Sequence, residues 1–161
     1  MAATGTQILA AIKKGSAWGT AVACGANDAI LLTRESLPKR RALLVDPAAG
    51  QVHEREVDRG EIAVAGSIEM ESRYNSGNML IALAMGTAGA PAQQGGTAAY
   101  KHTVQSADNI DGLFTTLAID KVTEIQEYPS VKISGFTLRG AAGGVCGRTF
   151  ECQADDLVAP A

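Results

Sequence analysis

Residues 64–86 read VAGSIEMESRYNSGNMLIALAMG, and they join an alternating stretch to a short apolar one. Within residues 61–74, apolar side chains share one parity and mostly polar side chains occupy the other. Successive side chains of a strand point to opposite faces, so this pattern predicts a half-buried β-strand. Its core-facing set comprises Ile62, Val64, Ile68, Met70 and Tyr74, and its outer set comprises Ser67, Glu69, Glu71 and Arg73.

The apolar stretch that follows predicts a helix over residues 76–85. Asn75 and Ser76 stand at its start, and their side-chain oxygens can accept hydrogen bonds from the free N–H groups of a first helical turn. Gly86 supplies a stop signal. The apolar stripe of this helix consists of Met79, Leu80, Leu83 and Ala84.

Length and composition favour a single β-rich domain spanning residues 1–161. The chain is 46% hydrophobic but only 4% aromatic, so aliphatic side chains must fill its core. Eighteen glycines and few long helical patterns favour strands and turns over a helix bundle. The formal net charge of −3 argues against a nucleic-acid-binding surface, because such surfaces are usually basic.

Other stretches predict short elements along the chain. Residues 5–15 read as a short helix with Thr6 as its cap, and residues 86–99 as a Gly/Ala-rich flexible loop. A change of parity at Gly135 predicts a β-bulge. Turns are expected at 46–50 and 108–112, and strands at 29–33, 42–45, 52–57, 100–104, 113–119, 131–138 and 145–153.

The cysteines and the N-terminus suggest neither a metal site nor a membrane segment. Cys24, Cys146 and Cys152 are odd in number and fit no zinc spacing, so we expect three reduced, mostly buried thiols. The first residues lack the basic and apolar regions of a signal peptide. No stretch approaches the roughly 20 apolar residues that cross a bilayer. These features predict synthesis in a cytoplasm, with no cofactor and no membrane partner.

Candidate catalytic residues are few. His53 lies beside Glu54 and Glu56, but adjacent strand residues face opposite ways, so a surface histidine explains it best. His102 is expected to be packed or hydrogen-bonded. Glu69 and Glu71 share a face at about 7 Å, which suits either a carboxylate pair or a salt-bridged outer surface. A small hydrolase using His53 or this pair is a weaker hypothesis, and we expect no catalytic residue.

Two landmarks of the sequence resemble a family of bacteriophage tail tube proteins. The first is residues 13–37, KKGSAWGTAVACGANDAILLTRESL, in which an aromatic–Gly–Thr–Ala element (18–21) precedes the first apolar strand. The second is residues 66–86, where GSIEMESR is followed by MLIALAMG. YKHTVQS, LFTTLAID and SVKISGFTLRG are similar to the strands that follow in that family, and the resemblance covers most of residues 13–140. Family members are often longer, so the chain is either a short member or the N-terminal part of a longer polypeptide.

The resemblance implies a mainly β, β-sandwich or barrel-like tail tube fold with one flanking α-helix. It also implies a structural virion protein of the phage tail, assembled as hexameric rings that stack into a tube through which DNA passes during ejection. The partners would be copies of the same chain, other tail proteins, and viral DNA as non-specific cargo. A phage decoration or receptor-binding module is the alternative.

Residues 38–61 are predicted to form a charged hairpin or an inter-subunit loop. They contain the basic run KRR and the stretch VHEREVDRGE, with almost no apolar face for a core. Such a segment contributes little to its own subunit, so we expect it to contact adjacent ones. The residues expected to meet neighbouring subunits or line the lumen are Lys39, Arg40, Arg41, Glu54, Arg55, Glu56, Glu69, Glu71 and Arg73.

Overall fold

The computed structural model describes residues 8–45, 57–73, 77–88 and 91–159. Within these ranges the chain is mainly β, with one α-helix and a barrel-like sheet, as the sequence predicts. The helix α1 spans Asn78–Met85, and a 3₁₀ turn spans Ala26–Asp28. The strands are β1 (Leu9–Lys14), β2 (Ala29–Ile30), β3 (Leu32–Ser36), β4 (Lys39–Val45), β5 (Val57–Glu71), β6 (Gly86–Ala88), β7 (Ala92–Gln93), β8 (Tyr100–Lys101), β9 (Val104–Ser106), β10 (Thr115–Asp120), β11 (Ile125–Arg139) and β12 (Gly147–Ala154).

One antiparallel sheet curls round so that its two ends almost meet. Its order is β2-β1-β10-β11-β12-β5-β3, with β4 also paired to β5. Only Leu31 separates β2 from β3, yet β2 pairs with β1 and β3 pairs with β5. A single stretch of chain therefore serves both ends of the sheet and makes it barrel-like. Two small two-stranded sheets, β6-β9 and β7-β8, accompany it.

The long strand β5 organises this barrel. Val64 and Met70 are almost fully buried, as the alternating pattern predicts, and Ile68 is 1% exposed. Beside it, β3 and β4 both pair antiparallel with the same edge of β5, and residues 37–38 between them belong to neither strand. Gly66 of β5 lies opposite this interruption, and an added Cβ there would collide with the carbonyl oxygen of Ser36. Only glycine allows the two backbones to approach so closely.

The core lies inside the curled sheet and beneath α1. Leu80 and Leu83 of the helix are buried in it, and Met79 and Ala84 pack against it, so the predicted apolar stripe is confirmed. Gly77, with φ of 75°, precedes the helix, and Gly86, with φ of 104°, ends it. The predicted capping residues Asn75 and Ser76, and the core-facing Tyr74, lie outside the described residues.

Two irregularities bend β11. The register with β12 shifts between Ile133 and Gly135, which confirms the predicted bulge. The register with β10 shifts between Thr115 and Leu117, where Thr116 stands opposite two residues of β11 (129–130). The first of these is Pro129, which has no N–H to donate, and its carbonyl oxygen accepts from the Thr116 hydroxyl at 2.9 Å.

The prediction of a helix over residues 5–15 is wrong within the described part. Residues 9–14 form strand β1, paired with β10 over its whole length. Ala10 and Ile12 are buried while Leu9 is 65% exposed, which is the period of a strand. Pairing with a strand about a hundred residues later overrides the local helical spacing of Ile8, Leu9 and Ile12.

Smaller differences concern the strands and loops after α1. The predicted loop 86–99 contains the short strands β6 and β7, and the predicted strand 100–104 is divided between β8 and β9. The turn over 108–112 is confirmed, with Gly112 at φ of 73°. The final strand begins two residues later than predicted, and β11 begins six residues earlier, at Ile125.

Candidate assembly surfaces

A two-stranded ribbon extends beyond the rest of the sheet. It consists of residues 39–45 of β4 and residues 57–63 of β5, and we call it the ribbon. The pairing of β12 with β5 reaches only to Val64, so within the described strands the ribbon has no third strand beside it. Every residue of β4 is exposed. The ribbon therefore exposes both faces over most of its length, while Ile62 at its base packs against the core.

The ribbon carries large apolar side chains that the sequence reasoning missed. The sequence predicts that residues 38–61 have almost no apolar face for a core; Leu43, Leu44, Val45 and Val57 are 67%, 58%, 44% and 47% exposed, so these apolar side chains lie outside the core of the subunit. The available signal was the run ALLV directly after KRR, whose pattern alone predicts an ordinary short strand. Exposed apolar side chains grouped on one element mark interaction sites in soluble proteins.

The basic run belongs to a strand rather than to a loop. Lys39 begins β4, and its ammonium group contacts Asp156 Oδ1 at 2.5 Å and the Leu157 carbonyl oxygen at 3.1 Å. The bond from Lys39 holds the pKa of Asp156 below its ordinary value. Arg41 Nε donates to the carbonyl oxygen of Gly60 at 3.2 Å. The base of the ribbon is thus attached to the segment after β12.

The other predicted contact residues fall into two groups. Glu69, Glu71 and Arg73 lie on or just after β5, and Arg73 forms an ion pair with Glu71 at 2.9 Å. The salt-bridged interpretation of that outer surface is therefore confirmed. Glu54, Arg55 and Glu56 lie outside the described residues, as does His53. The sequence predicts a packed or hydrogen-bonded His102; it is exposed, so the first of these alternatives is wrong.

The outer face around Glu69 is balanced in charge. Arg34 of β3 stands opposite Glu69 of β5. Glu71 of β5 and Arg139 of β11 lie on either side of Gly147 in β12. Cross-strand neighbours of opposite sign stabilise a sheet by a few tenths of a kcal/mol to about 1 kcal/mol. This face gives no field of one sign, so an acidic lumen would need other residues.

The first landmark of the resemblance forms a strap over the outside of the barrel. Residues 16–25 cross β10 and β11, and the backbone N–H groups of Gly19 and Val22 donate to Ser130 Oγ at 2.8 Å and Thr116 Oγ1 at 3.0 Å. Both hydroxyl residues are completely buried. Trp18 stacks edge-on against Phe114, with ring centroids 5.3 Å apart. The hydroxyl groups of Thr116 and Ser130 therefore accept the backbone hydrogen bonds of the strap that a neighbouring strand would otherwise accept.

A partly buried ion pair fastens the mouth of the barrel. Lys121 Nζ contacts Glu35 Oε1 at 2.7 Å, which joins β3 to the turn between β10 and β11. Nearby, the Tyr128 hydroxyl donates to the Leu37 carbonyl oxygen at 3.1 Å, and burial raises the pKa of Tyr128 above its ordinary value. Removing one partner of such a pair lowers the free energy of unfolding, because the other charge is left partly shielded from water without a counter-charge.

The three cysteines are free thiols, but they are not mostly buried as predicted. Cys152 is buried, and burial raises its pKa to about 12. Cys24 is half-buried with a raised pKa, for which burial is again the main cause. Cys146 is exposed in the turn before β12.

Neither a metal centre nor a membrane-spanning helix is present within the described ranges. No group of three or more His, Cys, Asp or Glu side chains there could hold a metal ion. No helix in that part of the chain is both long enough and apolar enough to cross a membrane. Comparison with protein-family models and with curated proteins finds no match to this chain.

Proposed function

We propose that this protein is a structural subunit of a bacteriophage tail tube, assembled as hexameric rings that stack around a passage for DNA. The order and spacing of the sequence landmarks over residues 13–140 suggest this role. The barrel-like fold with one helix agrees with what that resemblance implies. Other tail proteins would meet the two ends of the stack, and viral DNA would be non-specific cargo.

The ribbon is the observation that carries the proposal. An isolated two-stranded hairpin is marginally stable in water, yet this one extends past its sheet with four large apolar side chains exposed. Full burial of one such side chain is worth about 1.5–3 kcal/mol, so a covering partner would stabilise the ribbon considerably. A subunit that repeats in a ring supplies such a partner at every position.

Charge supports the same role in a second way. The chain has a formal net charge of −3, and like charges repel a polyanion that must pass without binding. Specific binding of DNA would need a basic groove with several phosphate contacts, and its affinity would fall steeply with salt. We therefore expect no salt-sensitive retention of DNA by the assembled protein.

The experiment is electron microscopy of the purified protein, combined with sedimentation over a range of concentrations. We expect rings or tubes from the unaltered chain. Deletion of residues 46–56, together with Leu44→Ser as a milder change, should leave a folded subunit that does not assemble. Leu138→Ser is the matched control, because Leu138 is 59% exposed and Leu44 is 58% exposed.

Each outcome decides between interpretations. A protein that stays monomeric or trimeric at all concentrations would contradict the tail tube proposal and would fit a decoration or receptor-binding module instead. Normal tubes from the Leu44→Ser variant would show that the ribbon does not hold the assembly together, and normal tubes from the deletion variant would show that assembly does not need residues 46–56. Equal loss in the Leu138→Ser control would remove the ribbon's special role.

A further inference from the structure

A second exposed apolar surface lies at the turn between β10 and β11. Leu9, Val122 and Ile125 are 65%, 53% and 47% exposed there. Leu9 and Ile125 both stand opposite Asp120 in the register of β1, β10 and β11, so these residues share one outer face. Val122 adopts a φ of 69°, which is unusual for a β-branched residue and turns it outward at the tip. We call residues 120–125, with Leu9 and Glu127, the turn surface.

The turn surface and the ribbon have opposite charges. The turn surface carries Asp120, Glu124 and Glu127 against the single cation Lys121, whose charge is already paired with Glu35. Over its described residues, the ribbon carries four basic side chains and two acidic ones, a formal net charge of +2, and the pairing of Lys39 with Asp156 reduces it to +1. The four are Lys39, Arg40, Arg41 and Arg59, and the two are Asp58 and Glu61. Both surfaces thus combine exposed apolar side chains with charges of complementary sign.

The two surfaces lie at the same end of the barrel. Ala154 of β12 pairs with Val64 on one side and with Val131 on the other. Beyond that level, β5 continues into the ribbon and β11 continues towards its start at Ile125. Both surfaces therefore project past the same point of β12.

The two surfaces belong to different strands of the sheet, although Lys39 at the base of the ribbon and Lys121 of the turn surface line one cavity. In one direction β12 lies between β5 and β11, and in the other β3, β2 and β1 lie between β5 and β10. Neither surface covers the other within one subunit, as their exposed side chains show. A neighbour rotated about an axis along the barrel would bring its turn surface towards the ribbon at the same height. Contacts between two different surfaces of identical subunits generate closed rings when the rotation closes.

We propose that the ribbon of one copy docks on the turn surface of the next copy around the ring. The apolar residues of the two surfaces form the centre of this contact, and their charges set its register. This inference rests on the proposed function, because it names the surface that receives the ribbon in the assembled ring. A second copy is the occupant that fits, because one chain presents both complementary surfaces.

Charge reversal tests the pairing directly. Arg59→Glu reverses a charge on the ribbon, and Glu124→Arg reverses one on the turn surface. Each single variant should raise the concentration needed for ring assembly by about tenfold or more, as loss of an attractive charge contact combined with new repulsion does. The double variant, Arg59→Glu with Glu124→Arg, should return towards the unaltered protein. Lys101→Glu, on the exposed strand β8, is the control and should assemble normally.

Mixing the two single variants gives a sharper result. The ribbon of the Arg59→Glu variant attracts the turn surface of the Glu124→Arg variant, and the reciprocal contact between the two variants keeps its original charges. The mixture should therefore form alternating rings of even number at concentrations where neither variant assembles alone. Ribbon-to-ribbon pairing between copies predicts instead that Glu124→Arg has no effect, which would overturn the inference.

The readouts separate this inference from the proposed function. Sedimentation measures assembly, and thermal melting of each variant confirms that its subunit is folded. If the unaltered protein never forms rings, the proposed function fails and this inference fails with it. If rings form but single reversals have no effect, or the mixture does not rescue assembly, the docking surface is wrong and the tail tube proposal stands.

Discussion

Shortening Leu83 to alanine tests the core assignment of α1. Leu83 is 6% exposed and belongs to the same buried cluster as Leu80, so its truncation leaves a cavity under the helix. Leu→Ala changes at such sites cost about 2–5 kcal/mol. For a chain of this length, that cost lowers the melting temperature by about 4–20 °C. Thermal and denaturant melts of dilute, unassembled subunits would measure it.

Glu69→Ala is the matched control on the opposite parity of β5. Glu69 is partly exposed on the outer face, where substitutions usually change stability by no more than about 0.5 kcal/mol. Comparable large losses at Leu83 and Glu69 would mean that both faces are buried in the isolated subunit. The separation of a core face from an outer face would then be refuted.

Three further outcomes are expected from the isolated subunit. Gly66→Ala should lower the free energy of unfolding by at least about 3 kcal/mol, because the new Cβ would collide with the backbone of Ser36. Gly147→Ala, with no atom within 4 Å of the new Cβ, should be nearly neutral. Denaturant melts of both variants measure this difference, and equal losses would contradict it. The pKa of Asp156 is lowered in the folded state, so its carboxylate stabilises the fold above the unfolded pKa of about 4, and this stabilisation is lost as pH falls through the folded pKa. Asp156→Asn should therefore make the free energy of unfolding less sensitive to acid than it is in the unaltered protein. An unchanged pH profile of stability would contradict the bond to Lys39. The Cys152 thiol, with its pKa raised to about 12 by burial, should resist alkylation in mild alkali until the protein unfolds, and peptide mass spectrometry showing rapid native labelling would disprove its burial.

The features that sequence predicts well are those with a clear local period. The alternation of Val64, Ile68 and Met70 identifies β5 and its buried face, and the stripe at Leu80 and Leu83 identifies α1. The parity change at Gly135 locates the bulge, which lies between Ile133 and Gly135, to within one residue. In these cases the local pattern and the tertiary environment favour the same structure, so the pattern alone is informative.

The features that sequence misses depend on distant partners. Ile8, Leu9 and Ile12 have helical spacing, but β10 supplies a ladder of hydrogen bonds that turns residues 9–14 into a strand. No local signal shows that residues 29–36 exchange one partner strand for another at Leu31. Both features are settled by pairing across the sheet, which a local pattern does not record.

The candidate site follows the same division. The sequence predicts a charged hairpin or inter-subunit loop at residues 38–61, which overlaps the ribbon, but the contact residues that it predicts do not include Leu43 and Leu44. The sequence alone does not show whether an apolar side chain faces the core or solvent. The ribbon is uncovered because β12, the strand that pairs with β5, ends at Ala154. The turn surface has no sequence motif, and it is complete only because the pairing of β1 with β10 brings Leu9 beside Asp120, 111 positions later.

The exchange of partners at Leu31 imposes an order on the maturation of the subunit. The Thr115 hydroxyl donates a hydrogen bond to the carbonyl oxygen of Lys13 in β1, 102 positions earlier, so the sheet curls up only after most of the chain has been synthesised. Pairing between such distant strands is slow, and until it happens the edges of β1 and of residues 29–36 hold unsatisfied N–H and C=O groups. Open edges of this kind pair readily with other chains. Closure of each barrel must therefore outpace encounters between nascent subunits, and rapid overproduction should yield aggregates at the expense of competent subunits.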